Sequence, residues 1–176
     1  MLCLGFTWPY RTVLIAGDYL LSGLQQRRMC KMNLVKVRDF GGATIADMYY
    51  YLTPLLRKQP STVILHVHSN SNNGKIPASE LMKELSDLAE WVQGQLPKAH
   101  VAISCPILRT DDSRKNAVQK ELTRLIVSSK FDHICNDTIL ERHLGKRGTP
   151  PGLHLNGGGS SMLAANLQTY IRPKTV

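Results

Sequence analysis

Two short stretches near opposite ends of the chain hold residue types that could do chemistry together. Near the start, Val13-Leu14-Ile15-Ala16-Gly17-Asp18-Tyr19 reads as a buried strand breaking into a Gly-Asp turn at the mouth of a helix. Near the end, Gly152-Leu153-His154-Leu155-Asn156 presents a histidine on a short loop before a final helix. A neutral imidazole is a general base close to neutral pH. A side-chain hydroxyl is a weak nucleophile until such a base takes its proton. The hydroxyl at the turn is the phenol of Tyr19, with an ordinary pKa of about 10 and a ring far bulkier than serine. Ser22 lies one helical turn further on, and Ser69 and Ser71 flank Asn70 on a loop. Nothing in their spacing demands that they approach His154. His66 and His68 alternate on a strand and share a face, and with His154 they could hold zinc. No carboxylate or cysteine completes a ligand set by spacing. The plainer expectation packs His66 in the sheet, leaves His68 at its exposed end, and needs neither metal nor cofactor.

The elements that must position these residues alternate short apolar runs with longer amphipathic ones. Strands are expected at Thr12 to Ala16, Leu34 to Val37, Ser61 to Val67, His100 to Ser104 and Phe131 to Cys135. The β-branched residues of the Ser61 to Val67 run suit a buried strand. Helices are expected at Tyr19 to Met29, Thr44 to Lys58, Ala78 to Gln95, Ser113 to Ser128 and Ser160 to Ile171. Leu81, Leu85, Leu88 and Val92 recur at helical spacing,. Thr44 is a plausible N-cap with Asp47 in the first turn. Five strands separated by helices imply a parallel sheet with helices on both faces, an α/β three-layer sandwich. Such sheets bind ligands at the carboxyl ends of their strands. Gly17-Asp18-Tyr19, Gly41-Gly42, His68-Ser69-Asn70 and Cys105-Pro106 would stand there. Residues 145–159, rich in Gly and Pro, read as a mobile loop carrying His154, with Gly157-Gly158-Gly159 as a hinge.

At 176 residues the chain is expected to be one domain, 1–176, with residues 1–11 as an N-terminal extension,. Lys and Arg outnumber Asp and Glu by 22 to 13, a net charge of +9 that favours anionic partners, nucleic acid among them,. Arg27, Arg28, Lys31, Lys36 and Arg38 form the densest basic cluster, which could meet phosphates,. Cations also suit a helix C-terminus, so a solvated helix end is the commoner reading. The four cysteines are too widely spaced for a metal pair or a short disulfide framework, and Cys105 and Cys135 read as small buried hydrophobes,. No stretch approaches the roughly 20 apolar residues of a spanning helix. With no secretory leader pattern, an intracellular location, cytoplasmic or nuclear, is expected.

Taken in order, these blocks resemble the SGNH (GDSL-type) hydrolases, and among them the small esterase-like domains of LINE-type retrotransposons and related animal genes. The resemblance rests on Gly17-Asp18, Gly42-Ala43-Thr44, Val63-Ile64-Leu65-His66-Val67 leading to Asn70, Pro106-Ile107-Leu108-Arg109 with Asp111-Asp112, and Gly152-Leu153-His154-Leu155-Asn156 before Gly159. It implies Gly42 and Asn70 as oxyanion-hole donors and His154 as the base, with Gly17 and Asp18 shaping the turn. Donors already aimed at an oxyanion are worth about 3 kcal/mol each. The family's nucleophilic serine falls at Tyr19. Its orienting aspartate, which fixes the tautomer of the base, falls at Pro151. Asp111, Asp112 or Asp137 could substitute for it. The third block reads His68-Ser69-Asn70-Ser71 where the family has a Gly-Thr-Asn-Asp-like run.

Three functions follow as expectations. The first is an esterase- or lipase-like relative that has lost its own hydrolysis through Tyr19 and Pro151. The second is an active hydrolase of short acyl esters with a substitute nucleophile. The third is a nucleic-acid-associated module of a retroelement-derived protein. The expected partners are a small acyl ester and nucleic acid on the basic surface.

Overall fold

The computed structural model describes residues 11–30, 33–145 and 151–172. Five strands form one parallel sheet: β1 (Thr12–Gly17), β2 (Leu34–Asp39), β3 (Thr62–His66), β4 (His100–Ser104) and β5 (Asp132–Ile134), in the order β2-β1-β3-β4-β5. Ile15 of β1 sits between Val37 and Ile64 in register. The expected α/β three-layer sandwich is what forms, because residues alternate faces along each strand. Leu14 and Ala16 join one core with the buried faces of α2 (Met48–Leu56), α3 (Ala78–Gln95) and α4 (Ser113–Val127). Val13 and Ile15 join a second core with α1 (Gln26–Met29), α5 (Gly157–Ile171) and a 3₁₀ turn at Tyr19–Gly23. Leu81, Leu85, Leu88 and Val92 of α3 are all fully buried, each contributing on the order of 2 kcal/mol.

After β1 the chain runs outward to β2, then crosses back to β3 on the other side of β1. Strand order therefore reverses between β1 and β3, which opens a crevice at their carboxyl ends. The Gly17-Asp18 turn and the His66-to-Asn70 segment both emerge there.

Several local expectations give way to tertiary contacts. The helix expected over 19–29 splits into the 3₁₀ turn and the four-residue α1, because Leu24 and Gln25 are extended. The helix expected from Thr44 starts at Met48. The Asp47 carboxylate accepts from both the backbone N–H (2.9 Å) and the hydroxyl (2.7 Å) of Thr44, and this local loop competes with helix,. Gly157, Gly158 and Gly159 are the first turn of α5 rather than a hinge, since Asn156 caps the helix through Gly159 N–H at 2.9 Å. Cys105 is buried as expected but Cys135 is exposed, because β5 ends at Ile134 on the sheet edge. His68, expected at an exposed strand end, is fully buried. It follows the central strand, lies edge-on to His66 at 4.9 Å, and is covered from the Asp18 and Ser104 sides.

Among the described residues no helix is long and apolar enough to cross a membrane. Lys31 of the expected basic cluster lies outside the described residues.

Candidate active site

The turn after β1 is fixed by close packing. A Cβ on Gly17 would stand 1.9 Å from the His66 carbonyl oxygen, so only glycine lets β1 end against β3. The next amide, Asp18 N–H, donates to that same carbonyl at 3.0 Å. The Asp18 carboxylate is fully buried and accepts from Leu20 N–H (3.1 Å) and Ser69 N–H (3.2 Å). One side chain thus caps the 3₁₀ turn and ties it to the loop after β3. Residue 19 is thereby set at the carboxyl edge of the sheet.

The loop bearing His154 is pinned from three directions. Gly145 N–H donates to the His154 carbonyl at 2.8 Å, and Leu144 pairs with Leu155 in an isolated antiparallel bridge. Asn156 N–H donates to the His143 carbonyl at 3.0 Å. On the far side Thr110 N–H donates to the Gly152 carbonyl at 3.1 Å. Gly152 has φ +77°, and a Cβ there would meet the Thr110 hydroxyl at 2.1 Å, so backbone freedom and space both require glycine,.

These constraints bring Tyr19 and His154 together. Their ring centroids are 4.7 Å apart at 58°, a tilted contact of ordinary aromatic geometry. The Tyr19 phenol is pushed up to about 12, mainly by burial and then by the Asp18 carboxylate. Arg109 pulls the other way and the Ser69 hydroxyl helps it, but burial prevails. Ser69 Oγ faces the phenol closely enough to favour its anion, yet it is buried without a hydrogen bond of good geometry. The phenol therefore stays protonated across the working range of a histidine base.

Asn70 Nδ2 donates to the Ala43 carbonyl at 2.9 Å, which sets Asn70 beside exposed Gly42. Ser71 Oγ accepts from Ile45 N–H at 2.9 Å and is committed to that loop. Pro151 is exposed on the turn before Gly152. Of the three aspartates that could orient His154, Asp112 is occupied capping α4 through Arg114 and Lys115 N–H. Asp137 follows β5 at the sheet edge, and its charge is felt at Cys105. Asp111 is the one drawn to the site. Its backbone N packs against Gly152 and its charge reaches Tyr19. Its carboxylate is gripped by Arg109 Nε (2.8 Å) and Nη2 (2.5 Å), a bidentate pair that holds it below the usual carboxylate range,. Arg109 and Asp111 belong to one block of the family resemblance, and their two-residue spacing is the signal of such a clasp, which the sequence reading did not draw.

Tyr19 and His154 stand at one end of a cleft of about 460 Å³ between the 3₁₀ turn, α1 and α5. Ser22, Arg28, Ser160 and Ser161 also line it. His66 and His68 are neighbours, but among the described residues no three His, Cys, Asp or Glu side chains gather as a metal site.

No protein-family model matches the chain, and no curated protein gives a significant match. Solved structures do. A lipase/acylhydrolase from Enterococcus faecalis superposes over 94% of this chain and 100% of its own, with a TM-score of 0.71 at 18% identity. The chain has the G-D-S-L hydrolase fold. A lipolytic G-D-S-L protein from Desulfitobacterium hafniense matches over 92% of this chain and 99% of its own (TM-score 0.70, 14% identity). A catalytic mutant of an acetylxylan esterase from Geobacillus stearothermophilus, with serine replaced by alanine, matches over 93% and 97% (TM-score 0.66, 12% identity).

Proposed function

We infer that residues 1–176 form one G-D-S-L-type hydrolase unit that keeps the base and the oxyanion hole but has lost hydrolysis. In this reading Gly42 and Asn70 are the oxyanion donors, His154 is the base, Tyr19 fills the nucleophile position and Pro151 replaces the aspartate that would orient His154. The observation that carries it is the contact of the Tyr19 ring with His154. The ring occupies the space an ester carbonyl needs, and a phenol pushed up to about 12 gives a histidine little to deprotonate. Pro151 has no side-chain carboxylate, so the position that holds the orienting aspartate in the family's pattern supplies no charge to a protonated imidazole. What remains is a cleft suited to holding a small acyl ester without turning it over.

A second reading, hydrolysis through a substitute nucleophile, is favoured by exposed Ser22 in the same cleft as His154. A fluorophosphonate probe separates the two, because it labels only a hydroxyl activated by a base. The expected result is no adduct at any pH between about 6 and 9, a span that covers both sides of an ordinary histidine titration. An adduct mapped by mass spectrometry to Ser22, Ser69 or Tyr19, and absent in His154→Ala, would establish the second reading instead. A third reading, a nucleic-acid-associated module, is favoured by the net charge of +9.

A further inference from the structure

Away from the hydrolase-like site, half-buried Phe40 and Tyr51 and exposed Tyr50 form an aromatic assembly at the surface. It lies on the opposite face of the sheet, where edge strand β2 projects beside α2. Alternation along β2 puts Lys36, Arg38 and Phe40 on this face, while Val35 and Val37 pack into the core on the other,. Tyr51 of α2 stacks on Phe40, rings nearly parallel at 9° with centroids 4.3 Å apart. Tyr50 stands edge-on to Tyr51 at 5.5 Å and is 81% exposed. Phe40, Tyr50, Tyr51 and Pro54 line an open groove of about 440 Å³, and Arg38 and Arg57 flank it.

A tyrosine this exposed gains almost nothing from folding. Neither arginine is paired with a carboxylate among the described residues. Arg38 donates only to the Val37 carbonyl beside it. Flat ring faces between unpaired guanidinium groups suit a ligand with stackable planes joined by anionic links. We propose that this groove binds single-stranded nucleic acid, with bases stacking on Tyr50 and the Phe40–Tyr51 pair and phosphates meeting Arg38 and Arg57. A duplex keeps its bases stacked inside and would offer the rings nothing. An anionic membrane would find only Pro54 and half-buried Leu55 as aliphatic side chains in the groove, because the exposed leucines among the described residues, Leu34, Leu108 and Leu140, do not line it. The proposal rests on the nucleic-acid reading of function and gives it a surface. It is not the basic cluster of α1, whose Arg27 and Arg28 face the other layer, and it is independent of turnover at His154.

The test is fluorescence anisotropy of the full chain with labelled oligo(dT) and oligo(U) at low and rising salt. Natural protein should bind both single strands better than the matching duplex. Tyr50→Ala should weaken binding about fivefold or more at fixed salt, leaving the salt slope unchanged. Arg38→Gln with Arg57→Gln should flatten the slope. Far-UV circular dichroism checks that both variants fold. Binding unaffected by Tyr50→Ala but lost in Arg27→Gln with Arg28→Gln would overturn the groove and leave the broader reading standing. No binding at low salt would remove both. Retention on phosphatidylserine vesicles, lost in Tyr50→Ala while oligonucleotide binding persists, would assign the groove to membranes and overturn the proposal.

Discussion

Replacing Tyr19 by Ser and Pro151 by Asp together is expected to raise hydrolysis of p-nitrophenyl acetate far above the rate of the natural chain. The expectation rests on three local arrangements. The Gly17-Asp18 turn sets residue 19 at the sheet edge, fixed by the Asp18 carboxylate and the His66 carbonyl. The His154 loop is pinned at Gly145, Leu144, His143 and Gly152. Asn70 is placed beside Gly42 by the Ala43 carbonyl. Removing the tyrosine ring opens the space at 4.7 Å from His154 and supplies an alkyl hydroxyl. Losing a nucleophile or base of such a triad costs on the order of 10⁶-fold in rate, and losing the orienting aspartate on the order of 10⁴. The double variant should therefore exceed the natural chain by about 10³-fold or more, with Tyr19→Ser alone well below it. Steady-state rates of the three proteins check this. Equal rates would show that Gly42, Asn70 and His154 are not in working order.

Acid should destabilise this protein through two buried histidines. His66 and His68 are fully buried, and three of their four ring nitrogens have no hydrogen bond of good geometry. The remaining one, His66 Nδ1, meets Ser104 Oγ at 2.8 Å. Burial lowers both pKa values against the attraction of Asp18, and His68, also repelled by His66, falls to about 3. In the unfolded chain each titrates near its ordinary value of about 6.5. Between these limits the unfolded state binds more protons, so stability is full above about pH 6.5 and falls as pH drops towards 3. By about pH 4.5, His68 alone should cost on the order of 2 kcal/mol. Urea midpoints at neutral and acid pH, for the natural chain and His68→Leu, isolate the effect, because the carboxylates titrate alike in both. The natural chain should lose more than the variant, and identical losses would contradict a neutral, buried His68.

The elements that were legible in the sequence are those whose apolar pattern is satisfied locally. Ala78–Gln95 and His100–Ser104 form with the expected bounds, since a four-leucine-type stripe and a run ended by Pro106 leave little choice. The Gly17-Asp18 turn and His154 were legible as types, but not the ring contact between Tyr19 and His154, which joins residues far apart in sequence. The burial of His68 was hidden because a polar residue after a strand ordinarily reaches water, and here neighbouring strand ends close over it. The break at Leu24 and Gln25, the delayed start of α2 and the glycine-led start of α5 each depend on particular hydrogen bonds or packing that helical periodicity does not encode. The clasp of Arg109 on Asp111 was missed for the same reason.

The most direct measurement is p-nitrophenyl acetate turnover by the purified natural chain at pH 7 to 8, with His154→Ala as the blank. Loss of hydrolysis through Tyr19 and Pro151 requires that the two rates coincide. A natural rate well above the blank, saturating with substrate and abolished by His154→Ala, would show that a hydroxyl other than the missing serine is at work, and would contradict it.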